Sequence, residues 1–133
     1  MSSLITNEVS DYLERLVPPR HPELVAMEAH AQAVRFPIIG PVVGHLCYQL
    51  ARTIGARRVF EMGSGFGYST AFFARAVVEN GGGTVHHVVW DEALSQQART
   101  HLAALGVTDV VDFHVGEAIE ALRAQDGPFD VVF

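Results

Sequence analysis

From Arg57 to the end of the chain, short apolar runs alternate with amphipathic ones: RRVFEMG, STAFFARAVV, TVHHVVW, EALSQQARTHLAAL, VVDFHVG, EAIEALRAQ and FDVVF. The order reads strand, helix, strand, helix, strand, helix, strand. Alternation at these lengths requires parallel strands joined by right-handed helical crossovers, and strands apolar along their whole length belong in a sheet covered on both faces. An α/β fold is therefore expected from residue 55 to 133. The preceding residues 1–54 carry helical spacing instead. Val9, Leu13 and Leu16 form one stripe that Pro18-Pro19 ends, a second helical stretch covers 23–34, and RFPIIGPVVGHLCYQLARTIG reads as a loop feeding a helix with Val43, Leu46, Leu50 and Ile54 at helical intervals.

Bulk properties narrow the function classes. A chain of 133 residues, 49% hydrophobic, is long enough for one compact domain with a filled core. A formal charge of −6, with no basic cluster longer than Arg57-Arg58, argues against binding nucleic acid through its phosphates, so a small molecule or another protein is the expected partner. The single cysteine, Cys47, has no internal disulfide partner and suits a reducing compartment. The N-terminus lacks the basic start and apolar stretch of a secretion signal, and no run approaches the roughly 20 apolar residues that span a bilayer. A cytoplasmic protein without membrane attachment is expected.

The stretch EMGSGFGYS, residues 61–69, falls between the first strand and the helix starting near Tyr68. In an open α/β sheet ligands sit outside the carboxyl ends of the strands, and glycine lets a ligand approach the main chain closely. Three glycines in five residues, preceded by Glu61, read as a binding turn more readily than as a simple chain reversal. Dinucleotide-binding turns run G-x-G-x-x-G, whereas the third glycine here, Gly67, comes one residue early, and the phosphate-cradling lysine motif is absent. An acid before the glycines repels a pyrophosphate but accepts hydrogen bonds from an amino group. A ligand carrying an amino acid is favoured.

The segments FPIIGPVVGHLCYQLAR, VFEMGSGFGYSTAFFARAV and FHVGEAIEAL…GPFDVVF resemble the class I S-adenosylmethionine-dependent methyltransferases, in particular the small O-methyltransferases related to catechol and caffeoyl-CoA O-methyltransferases. The resemblance covers about Arg35 to Phe133. It implies a Rossmann-like parallel sheet with flanking helices, incomplete at the C-terminus and preceded by N-terminal helices that cap the substrate or a dimer partner. By the same resemblance Glu61 holds the methionine amino group, Gly63, Ser64, Gly65, Gly67 and Tyr68 line the cofactor, and Ser69 meets its carboxylate end. Ile39 touches the cofactor from the N-terminal segment, and Glu117 and Ala118 border the adenine. The implied activity is methyl transfer to a hydroxyl of a small, catechol-like molecule by a homodimer using a divalent cation, magnesium or calcium.

Two positions depart from the family pattern. Where the family places an acid for both ribose hydroxyls this chain has Val89, and Asp91 stands about 6.6 Å further along the strand, too far to make the same pair of bonds. Asp91 is instead expected to cap the next helix, and Trp90 to pack on the adenine. The family's cation-binding Asp and catalytic lysine follow the fourth strand, where this sequence ends at Phe133, so no catalytic or metal residue is assigned; a fragment, a truncated chain or half of an assembly, with an open apolar edge and inactive by itself, is expected.

Other candidates carry less. His86 and His87 fall on one strand and face opposite sides, so they read as core or helix-packing residues; His21, His30, His45, His101 and His114 show no metal-ligand spacing. Phe72 and Phe73 read as core, whereas Phe66 and Tyr68 could also flank an aromatic ligand. Two alternative functions stay open: a degenerate methyltransferase fold kept for binding or dimerisation, favoured by Val89, and an NAD(P)-dependent oxidoreductase, disfavoured by the glycine spacing and Glu61.

Overall fold

A computed structural model describes residues 4–133, so the first three residues of the expected 1–54 helical segment lie outside the described residues. Three helices, α1 (Asn7–Leu16), α2 (Pro22–Val34) and α3 (Gly40–Thr53), precede an alternating unit. That unit runs β1 (Arg58–Phe60), α4 (Tyr68–Glu79), β2 (Thr84–Val89), α5 (Glu92–Ala104), β3 (Val111–Val115), α6 (Ala118–Arg123) and β4 (Val131–Val132), with a 3-10 turn at Thr108–Val110 before β3. The expected order of strands and helices holds throughout.

All strand pairs are parallel, in the order β3-β2-β1-β4. The chain steps outward from β1 through β2 to β3, then returns to the other side of β1. The carboxyl end of β1 is therefore the point where the strand order reverses, and crevices open at such points. Asp130 fixes the returning strand: its Oδ2 accepts the backbone N–H of Arg57 at 2.8 Å and of Arg58 at 2.9 Å. Val59, Phe60, Val85 and Val88 bury the middle of the sheet, while β3 and β4 are only partly covered.

The N-terminal helices form where the spacing places them, but they bury different faces from the ones the larger side chains mark. Helix α1 buries no residue; Val9 and Leu16 are exposed. In α3, Val43, Leu46, Leu50 and Ile54 are also exposed, and the buried face is Gly44, Cys47 and Ala51. The reason is the closeness of α3 to α4: a Cβ added at Gly44 would lie 2.4 Å from the Phe72 ring. Small residues let the two helices approach, and the wide aliphatic stripe is turned outward. Helix α2 is tied in by Glu28, which receives both Arg20 Nε and Nη2 at 2.6 and 2.7 Å and the Tyr68 hydroxyl at 2.7 Å. As expected, Phe72 and Phe73 are core residues. Among the described residues no helix is long and apolar enough to cross a membrane.

Candidate functional site

The turn that leaves β1 is held from beneath by the next strand. Ser64 donates its backbone N–H to the Val88 carbonyl at 2.8 Å, and its Oγ accepts the Val88 N–H at 2.9 Å. His87 reaches the Gly65 carbonyl through Nε2 at 3.2 Å, and burial depresses its pKa to about 4, so the neutral ring donates this hydrogen bond. Gly65 (φ +53°) and Gly67 (φ +95°) both need the left-handed conformation that glycine alone adopts cheaply. They differ in what surrounds them. A Cβ at Gly65 would come within 3.0 Å of Phe36, at the mouth of a cavity, whereas one at Gly67 would meet Ala98 of α5 at 3.1 Å.

The cavity above this turn has a volume of about 830 Å³, within the range of small-molecule sites. Gly63, Ser64 and Gly65 form its floor with Tyr68 and Ser69 of α4; Ile39 closes one side, and Trp90, Glu117 and Ala118 close another. Nine of the eleven expected cofactor residues therefore meet in one place. The other two lie behind the wall. Gly67 lies where α4 packs close to α5, since a Cβ there would come within 3.1 Å of Ala98. Glu61 is 1% exposed and sits under the turn rather than in the cavity lining.

Glu61 gives the site its electrostatic character. Burial pushes its pKa up to about 7, against the pull of the Ser69, Thr70 and Ser64 hydroxyls, which favour the ionised form. Thr70 Oγ1 donates to Oε2 at 2.5 Å, but Oε1 is left without a hydrogen-bond donor. A buried carboxylate oxygen with no donor costs stability, and a cationic ligand group near the floor would offset that cost. Close by, α4 begins at Tyr68 with Gly67 as its N-cap and no side-chain capping bond, so its first N–H groups and the helix dipole face the same space. One end of the cavity thus lies over a buried acid and beside free backbone donors. It suits a group bearing both an amine and a carboxylate.

The remaining walls are apolar. Phe36, Ile38, Phe66, Val88, Val89, Leu94 and Phe133 complete the lining. Spacing does not mark Phe36 or Phe133 as site residues, because one arrives from before β1 and the other from the last strand; Phe133 is placed by its carbonyl, which accepts the Met62 N–H at 2.8 Å. Val89 is buried at the end of β2, while Trp90 is 85% exposed and stands at the rim of the cavity. Asp91 caps α5 as expected, its Oδ1 accepting the N–H of Ala93 at 2.7 Å and of Leu94 at 3.1 Å. Glu117 likewise caps α6, accepting the Glu120 N–H at 2.9 Å; among the described residues that line the cavity it is the one carboxylate, fewer oxygen ligands than a hard cation takes.

A family model described as "Methyltransferase domain" matches residues 60–133, the stretch that holds the turn, α4 and the far wall. The chain belongs to the methyltransferase-domain family. Within that family it is 33% identical over 129 residues to a catechol O-methyltransferase of Mycobacterium tuberculosis, covering 95% of this chain and 58% of that protein. It superposes on a methyltransferase of Geobacter sulfurreducens with a TM-score of 0.89 and 29% identity, covering 98% of this chain and 67% of the other. The O-methyltransferase TomG of Streptomyces achromogenes, solved in complex with SAM, gives a TM-score of 0.82 and 30% identity over 96% of this chain and 59% of that one. The chain spans about three fifths of the length of the curated relatives it matches. Its sheet and leading helices are those of the class I methyltransferase fold.

Proposed function

We propose that the cavity binds S-adenosylmethionine and that the protein serves O-methylation of a small hydroxyl-bearing molecule. The observation that carries this reading is the donorless Oε1 of Glu61, buried beneath a glycine floor beside the uncapped start of α4. Glu61 acts from below: it places negative charge under the ligand amino group and is the buried neighbour of Ser64 and Ser69, which line the cavity. The free N–H groups at the start of α4 and the Ser69 hydroxyl receive the carboxylate. Ile39, Trp90, Glu117 and Ala118 enclose the nucleoside, with Trp90 stacking on the base.

When bound, S-adenosylmethionine supplies an electrophilic methyl group to the substrate oxygen. The chain's own share of catalysis is positioning: a floor fixed by His87 and Val88 and an apolar wall that keeps water from the reacting end. Val89 leaves the ribose hydroxyls without a carboxylate, which weakens binding by roughly 10- to 150-fold relative to a site that has one. The described cavity residues do not fit a divalent cation, and no step is assigned to one.

A catechol-like substrate is supported by the similarity to a catechol O-methyltransferase and by the aromatic wall of Phe36 and Phe66. A homodimer is supported by the aliphatic side chains that α1 and α3 leave exposed, and a cytoplasmic setting by the unpaired Cys47. Calorimetric titration with S-adenosylhomocysteine and, separately, NAD tests the assignment. Saturable heat with the first, lost in Gly65→Val, and none with the second is expected; preferential NAD binding overturns it.

A further inference from the structure

A second group of chemically competent side chains lies away from the cavity floor, on the opposite sheet face from α5. Residue His87 of β2 and Phe113 of β3 are paired in register and their rings are 5.3 Å apart; Phe113 also carries the Arg99 guanidinium of α5 over its ring at 4.1 Å. Strand side chains alternate, so His86, Asp112 and His114 share the other face. His86 is directly paired with Asp112, and His114 stands two residues further along the same strand.

The three side chains converge. His86 Nδ1 lies 2.9 Å from His114 Nε2, and Asp112 Oδ2 lies 3.5 Å from the first nitrogen and 3.3 Å from the second. Neighbouring ligand atoms around a tetrahedral zinc ion, at bond lengths of about 2.0–2.1 Å, are about 3.3 Å apart. The triangle already has the dimensions of one face of such a tetrahedron. Side-chain exposure rises across it, from 7% for His86 to 21% for His114 and 55% for Asp112, so an ion can enter from solvent while one ligand is locked in the sheet. Aromatic neighbours steady the first ligand: the His86 ring sits 5.5 Å from Phe60 and 5.8 Å from Phe129.

We propose that His86, Asp112 and His114 form a three-ligand site for a zinc-type divalent transition-metal ion, with water in the fourth position, joining β2 to β3. Two imidazoles and one carboxylate are a donor set for zinc or its cobalt analogue rather than for magnesium or calcium, which need several oxygens. The site is independent of the cofactor cavity and of methyl transfer.

Chelator-treated protein titrated with Co2+ should develop the visible absorption of a tetrahedral complex at one equivalent, and Zn2+ should displace it. His114→Ala and Asp112→Asn, both at partly exposed positions, should weaken zinc binding by roughly 100-fold while the metal-free thermal midpoint stays near that of the parent. His30→Ala, at an exposed histidine outside the triangle, should bind as the parent does. Equal zinc affinity in the parent, His114→Ala and Asp112→Asn, or no cobalt spectrum in the parent, overturns the site and leaves a hydrogen-bonded histidine pair.

Discussion

Glu61 and His87 are both buried beneath the glycine turn, and their ionisations act on stability in opposite directions. The folded state raises the Glu61 pKa from 4.5 to about 7, so between those values the native protein holds a proton that the unfolded chain has released. Stability therefore falls as pH rises through that window, by roughly 3 kcal/mol in total. His87 moves the other way, from 6.5 to about 4. In its window the unfolded chain binds the extra proton, so stability rises with pH by a similar roughly 3 kcal/mol. Burial and His114 also depress His86, which adds to the rising side.

The two windows overlap from pH 4.5 to 6.5, where the opposing slopes largely cancel in the parent protein. Glu61→Gln removes the falling contribution, so its stability should climb by roughly 3 kcal/mol across that interval, about 1.4 kcal/mol for each pH unit. His87→Phe removes part of the rising contribution and should shift the slope the opposite way. Urea unfolding followed by circular dichroism at several pH values between 4.5 and 6.5 reads both slopes. Parallel profiles for the parent and Glu61→Gln would refute the reasoning, because they would mean that the acid under the turn titrates as it does in the unfolded chain.

Three further substitutions separate ligand contacts from packing. Trp90→Ala, at a position 85% exposed, should change unfolding stability by less than about 0.5 kcal/mol while weakening S-adenosylhomocysteine binding in a calorimetric titration. Gly44→Ala places a Cβ 2.4 Å from Phe72 and should destabilise the protein by about 1–3 kcal/mol in a urea titration, through the α3–α4 contact. Asp91→Ala removes the α5 cap and should cost about 1 kcal/mol by the same measurement.

Features local in the sequence were legible before any coordinates. The alternation after Arg57 specified the strands and crossovers, the glycines after Glu61 marked the binding edge, and Asp91 announced the start of α5. What spacing could not supply was the partner of each face. The helical spacing of Val43, Leu46, Leu50 and Ile54 marked α3 but not its buried face, which the close approach of α4 set at Gly44, Cys47 and Ala51. Gly67 looked like a third cofactor contact because φ > 0 and close approach have the same sequence signature whether the neighbour is a ligand or, as here, Ala98. Phe36, Phe133 and the meeting of His86 with Asp112 and His114 depend on strand register and chain crossings between distant segments, which no motif records.

The central claim is that the glycine floor over Glu61 receives the amino-acid end of a sulfonium nucleoside. A crystal structure of the protein with S-adenosylhomocysteine tests it most directly. The account predicts the ligand in the cavity, its amino group over the Gly63–Gly65 floor above Glu61, its carboxylate at Ser69 and the start of α4, and its base beside Trp90. A ligand bound in the reverse direction, or a cavity that stays empty at saturating ligand, would contradict it.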